Sequence, residues 1–172
     1  NRPFALNFWL NYSKGGVIFS HGSKDNALQL DVTDNKTYIR LANKVLAEAE
    51  ALPKDAWIFV SISVAYEMDK SYLTLDYAMD AQTKQVFNRV NLGAYEGSGT
   101  LNFGGSMVGS IHEVSLWNTA RTAEQAFSEK DETKAPYTQG LIGYWKMDEG
   151  VGLEAKDLAR ARHIILPNAH AW

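Results

Sequence analysis

Between residues 4 and 12 the side chains alternate without a break. Phe4, Leu6, Phe8, Leu10 and Tyr12 share one parity, and Ala5, Asn7, Trp9 and Asn11 share the other. Successive side chains of an extended chain point to opposite faces, so this pattern is a strand with one face in a core. The period of two recurs at 57–66, where Ile58, Val60, Ile62 and Val64 oppose Trp57, Phe59, Ser61, Ser63 and Ala65. It recurs again at 72–79, with Leu73, Leu75, Tyr77 and Met79 facing in and Thr74 and Asp76 facing out. Shorter runs at 17–21, 28–32, 37–41, 86–92 and 101–103 read the same way. Turn signals separate them: Gly15-Gly16, a loop at 23–26, Asp34-Asn35-Lys36, a hairpin at 67–70, and a glycine and serine loop at 93–99 that holds Tyr95 and Glu96. Many short strands with no regular alternation of helices predict an all-β fold, two antiparallel sheets packed face to face.

The run 104–150 adds a helix. A glycine-spaced apolar strand at 107–117 is followed by a turn at Asn118, Thr119 and Ala120. A short helix is expected over 122–131, because Thr122 supplies an N-cap oxygen and Gln125, three residues on, can reach back to it. A polar linker then leads to an aromatic strand at 141–147. Inside 107–117 the inward residues run Ile111, Val114, Leu116, so the period breaks by one at His112 and Glu113, the signature of a β-bulge. The segment 44–52 is rich in Ala, Glu and Leu and has the propensity of a helix ended by Pro53. A sandwich has little room for an internal helix, and a strand is expected there.

These stretches carry a resemblance. GSIHEVSLWNTARTAEQ (109–125) and GLIGYWKMDEGVGLEAKD (140–157), with FALNFWLNYSKGGVIFSHG (4–22) and AWIFVSISV (56–64), resemble a laminin-G-like or pentraxin-like jelly-roll module of the concanavalin-A-like fold group. The resemblance covers nearly the whole chain. It implies one jelly-roll domain over 1–172, and it too places a strand at 44–52. Residues 140–172 are then either its closing strands or the opening of a following module. The chain departs from the family pattern at 157–162, where AspLeuAlaArgAlaArg replaces an Asp-x-Ser-Gly-Asn turn.

Composition excludes several functions. A net charge of −3 provides no basic surface for nucleic acid. No apolar window is long enough to span a bilayer. There is no cysteine, so disulfides and thiol chemistry are out. The chain starts at Asn1 without a signal peptide, and we expect a fragment of a longer precursor.

Motifs for chemistry are sparse. Glucanases of the fold group use Glu-x-Asp-x-x-Glu, with two glutamates about 5 Å apart. The nearest match is Glu67-Met68-Asp69, and Ser71 and Tyr72 stand where the third carboxylate would fall. Asp148 and Glu149 are neighbours, so on a strand they diverge. His21, His112, His163 and His170 form no zinc motif, no G-x-S-x-G elbow is present, and the glycines at 104–109 precede a strand rather than a helix. By resemblance a structural calcium is possible, held by loop carboxylates. Asp25, Asp31 and Asp34 are near one another, but His112 replaces the family's Asp beside Glu113.

Five tryptophans remain. Trp57, Trp117 and Trp145 are expected in apolar strand faces, and Trp172 is terminal. Trp9 shares its face with Asn7 and Asn11, a ring between two amides about 7 Å apart along a strand. That is the geometry of a sugar-stacking platform. The expected function is therefore a non-catalytic recognition or adhesion module of a secreted or cell-surface, bacterial multidomain protein. By resemblance the ligand is a glycan, held by Asn7, Trp9 and Asn11. A protein-interaction or spacer domain without a small ligand is the alternative, and a glycosidase with an incomplete motif is the third.

Overall fold

A computed structural model describes residues 2–23, 26–162 and 164–165. The elements in order are β1 (Phe4–Lys14), β2 (Gly16–His21), β3 (Leu28–Val32), β4 (Lys36–Leu41), β5 (Lys44–Glu50), β6 (Ile58–Glu67), β7 (Lys70–Met79), β8 (Gln82–Gly93), β9 (Leu101–Phe103), β10 (Val108–Trp117), α1 (Ala123–Ser128), β11 (Leu141–Trp145), β12 (Glu154–Ala155) and β13 (Ile164–Ile165). Six strands form one antiparallel sheet in the order β11-β10-β1-β6-β7-β8, and five form a second in the order β5-β4-β3-β2-β9. Together they make a jelly-roll sandwich.

The core lies between the sheets and follows the alternation. Phe4, Leu6, Phe8, Leu10 and Tyr12 of β1 meet Ile58, Val60, Ile62 and Val64 of β6 and Leu28, Leu30 and Val32 of β3. Each such side chain contributes roughly 1.5–3 kcal/mol by leaving water. Tyr12 keeps its hydroxyl satisfied inside the core by donating to the Leu52 carbonyl at 2.6 Å.

The segment at 44–52 is a strand, and its turn explains why. Ala42 and Asn43 have φ of +51° and +61° between paired Leu41 and Lys44, as a two-residue I′ hairpin demands. The hairpin sets the register of β5 on β4, and ladder hydrogen bonds outweigh helix propensity. The bulge in β10 is also present. Glu113 has φ +52°, and the β1–β10 register shifts between Asn7 and Trp9.

Two expectations need correction. The helix is shorter than 122–131. Its capping box is formed, with Gln125 N donating to Thr122 Oγ1 at 3.2 Å and Thr122 N donating to Gln125 Oε1 at 3.0 Å. It stops at Ser128, however, and Lys134 Nζ donates to the carbonyls of Glu129 and Glu132 just beyond. Trp57 is the second. It precedes β6 rather than opening it and is 46% exposed, while Trp117 and Trp145 are buried as expected.

The six-stranded sheet is covered on both faces over part of its area. On its outer side Ala5, Trp117, Leu141, Tyr144 and Ala159 form one small cluster. Phe59, Ala78 and Ala126 form another, against Trp9 and Phe127. The chain from 118 to 140 thus straps the outer face.

Candidate functional site

The strap decides the fate of the expected platform. Asn7 is 3% exposed, and Trp9 is half-buried, with its edge against Phe59 at 5.3 Å between ring centres. The Trp9 indole N–H donates to the Lys130 carbonyl at 3.4 Å, and Lys130 Nζ lies 5.4 Å from the ring centre. The open face expected of Asn7, Trp9 and Asn11 is corrected to a roofed one: alternation assigned the face, but not its cover. Asn7 instead lies in a buried polar row, paired with Ser115 on β10 and Ser61 on β6, which in turn faces Asp76 on β7. Asn7 Oδ1 has no hydrogen-bond partner among the described residues. Burial raises the Asp76 carboxyl above the usual range, and a hydrogen bond from Gln85 opposes this only in part.

Asn11 sits differently. It is half-buried, beyond the end of the strap, and pairs with exposed Ser110. On its other side the β1–β6 register ends at Leu10 and Ile58, and the next bond, from Asp55 N to the Tyr12 carbonyl at 2.9 Å, falls one residue out of that register. Trp57 directly precedes Ile58, the partner of Leu10, and so lies at the same end of β1 as Asn11. Its parity matches that of Phe59, which faces outward. Adjacent strands are about 4.8 Å apart, so the Ser110 hydroxyl and the Asn11 amide are neighbours across the sheet, at the end of β1 where the exposed Trp57 also lies. Sequence reasoning placed Trp57 in the core because the apolar run appeared to begin there. The Pro53-Lys54-Asp55 turn just before it was the signal that it lies at a rim.

The carboxylates singled out from sequence are engaged elsewhere. Met68 and Asp69 are the two central residues of a hairpin turn, with φ of +48° and +60°. Glu67 is held by Arg89 through two hydrogen bonds of 3.0 and 2.9 Å, which keep its carboxyl below the usual range. Asp69 accepts from the Tyr66 hydroxyl. Asp31 pairs with Arg40 at 3.0 Å and Asp34 with Lys54 at 3.2 Å. Each thus has a basic side chain beside it. No group of three or more His, Cys, Asp or Glu suited to a metal occurs among the described residues. Asp25, His163, His170 and Trp172 lie outside the described residues.

A second concave feature sits at the other end of the sandwich. A cavity of about 170 Å³ is lined by Ser23, Asn26, Tyr95, Glu96, Ser98 and Gly99. Its floor is buried Tyr95, whose hydroxyl lies 2.7 Å from His21 Nδ1. The His21 ring packs edge-on against Phe4 and Tyr95. Burial depresses the His21 pKa, and a hydrogen bond to the Gly99 backbone counters it only partly, so the ring is neutral near pH 7.

No family model and no curated protein matches the chain. Among solved structures, the chain is similar to a candidate carbohydrate-binding protein of Bacteroides ovatus, with a TM-score of 0.60 at 15% identity over 98% of this chain. It spans 55% of that longer protein. A heptameric SAP-like pentraxin of Limulus polyphemus aligns over 99% of this chain and 84% of its own, with a TM-score of 0.48 at 12% identity. At these identities the likeness to the Bacteroides protein is one of fold.

Proposed function

We propose that this chain is a non-catalytic glycan-recognition module of a secreted or cell-surface protein, and that it binds through Trp57, Asn11 and Ser110. The observation that carries this is Trp57: it is 46% exposed, while Trp117 and Trp145 are buried and Trp9 is half-buried under the strap. A tryptophan left at the surface is not there for the core. Half-packed, its indole is held rigid and offers the other part of its surface to the apolar face of a sugar ring. The Asn11 amide supplies a donor and an acceptor at the same end of β1, and the Ser110 hydroxyl can do either. The class of ligand attributed to the Bacteroides protein agrees with this chemistry. The engagement of Glu67 by Arg89 supports a non-catalytic role.

The test is a glycan array followed by titration. Trp57→Ala is expected to abolish binding of the best array ligand while the melting temperature stays within about 2 °C, as for a surface substitution. Retained binding in that variant would remove Trp57 from the site.

A protein-interaction or spacer module is the second reading. Val151, Leu153 and Ile165 favour it, at 77%, 51% and 69% exposed around the β12–β13 hairpin.

A further inference from the structure

We propose a second ligand site at the opposite end of β1 from Trp57: the cavity above Tyr95, which takes one terminal pyranose unit of an uncharged oligosaccharide. This goes beyond the Trp57 reading, and either can fail alone.

The cavity is a built one. Tyr95 is 5% exposed and is fixed at both ends, by His21 at its hydroxyl and by Ser71 Oγ, which donates to the Tyr95 carbonyl at 3.0 Å. Gly22 N donates to the Thr100 carbonyl at 3.1 Å, joining the two walls. They approach so closely that a Cβ on Gly99, at φ +111°, would stand 2.9 Å from the Gly22 backbone. A loop pinned in this way loses little freedom when a ligand arrives.

Size selects the ligand. A volume of about 170 Å³ corresponds to five or six waters at roughly 30 Å³ each. That is room for one sugar ring and too little for a nucleotide. Polarity narrows it further. The Ser23 and Ser98 hydroxyls donate and accept, the Asn26 amide does both, and the Glu96 carboxylate only accepts. Neighbouring hydroxyls of a pyranose are donors and acceptors at once and match such a mixed set. Glu96 lines the cavity with a carboxylate, whose like charge disfavours uronates, sialates and phosphates.

The surroundings indicate a chain end. On the outer face of the five-stranded sheet, Asn102 pairs with Ser20, and Ser20 with Gln29. These positions are each three residues from Gly99, Ser23 and Asn26, about 10 Å along a strand. A second sugar unit leaving the cavity would meet that row of amides and a hydroxyl.

The experiment is an amide-resolved NMR titration of the labelled chain. The probes are glucose, galactose, mannose and N-acetylglucosamine, with glucuronic acid as the charged comparison and cellobiose and chitobiose as the two-unit probes. At least one neutral monosaccharide should shift the amide signals of residues 95–99, with Kd on the order of millimolar. Asn26→Ala and Glu96→Gln should each weaken it about tenfold, and Gln29→Ala should weaken only the two-unit probe. Trp57→Ala should leave these shifts unchanged. Spectra unperturbed elsewhere show that the variants are folded. The proposal is overturned if no neutral sugar shifts those signals, if glucuronic acid binds as well, or if neither Asn26→Ala nor Glu96→Gln matters. A silent cavity beside a Trp57-dependent array signal would remove this site and leave the first.

Discussion

Asp157 should be worth more to this fold than any surface charge. Its carboxylate is 5% exposed and accepts backbone N–H groups, with Oδ1 taking Tyr144 at 2.9 Å and Ala159 at 2.8 Å and Oδ2 taking Arg162 at 2.9 Å. It thereby ties the 157–162 turn to β11, where Trp145 Nε1 also donates to the Arg162 carbonyl at 2.8 Å. Asp157→Ala strands those donors. Two of them belong to buried residues, and at about 1.5 kcal/mol for each lost charge-assisted bond the cost is about 3 kcal/mol. For a domain of this size that lowers the melting temperature by roughly 6–12 °C. Asp157→Asn keeps Oδ1 and turns an N–H toward the Arg162 N–H, so its cost should be nearer 1–1.5 kcal/mol. The pH dependence has a definite sign. Burial alone would raise the Asp157 pKa, but the N–H donors of Tyr144, Arg162, Ala159 and Arg160 outweigh it and hold the pKa below the usual value. The stabilisation is therefore fully present above the unfolded value of about 3.9 and is lost as pH falls through the folded one. Thermal unfolding of wild type and both variants between pH 3 and 7 tests this. A melting temperature for Asp157→Ala within about 2 °C of wild type at pH 7 would refute the reasoning.

Asp76 should behave in the opposite way. Its folded pKa is raised, so the ionised form costs stability at neutral pH, and the folded state gains as pH falls toward the unfolded pKa. Asp76→Asn should stabilise by an amount on the order of 1 kcal/mol at pH 7, with the gain fading near pH 4; a net loss at pH 7 would mean that its charge has a partner. Trp145→Ala should cost about 3–5 kcal/mol by leaving a cavity in the core. Gly143→Ala should cost about 1–3 kcal/mol in wild type, since its Cβ would stand 2.2 Å from the Trp145 ring, and almost nothing in a Trp145→Ala background. Additive losses in a double-mutant cycle of chemical denaturation would show that the two do not share one space.

The fold was legible because a sandwich core is written in parity. The apolar face of β1 and its partner in β6 could be named from sequence alone, and the break at Glu113 marked the bulge. Thr122 and Gln125 gave the helix start, because a capping box is local. Its end was not legible: no glycine or proline stands at 129, and the turn beyond Ser128 is shaped by Lys134 bonding back to the Glu129 and Glu132 carbonyls. The β5 strand could be expected against its propensity only because the neighbouring strands left no place for a helix.

The candidate site was legible only by half, for a related reason. Parity says which residues share a face of a sheet, and it said correctly that Asn7, Trp9 and Asn11 oppose the core. Whether such a face meets water depends on what the chain does about 120 residues later, where Ala126, Phe127 and Lys130 come to lie over Trp9. No local pattern at Trp9 encodes that cover. The strap does not close the whole face, however: Asn11 is half-buried and its partner Ser110 is exposed. The uncovered end of β1 is therefore where a side chain of outward parity stays available. Asn11 occupies it, and the exposed tryptophan at that end of β1 is Trp57 rather than Trp9. The proposed site keeps Asn11 from the expected platform and exchanges Trp9 for Trp57.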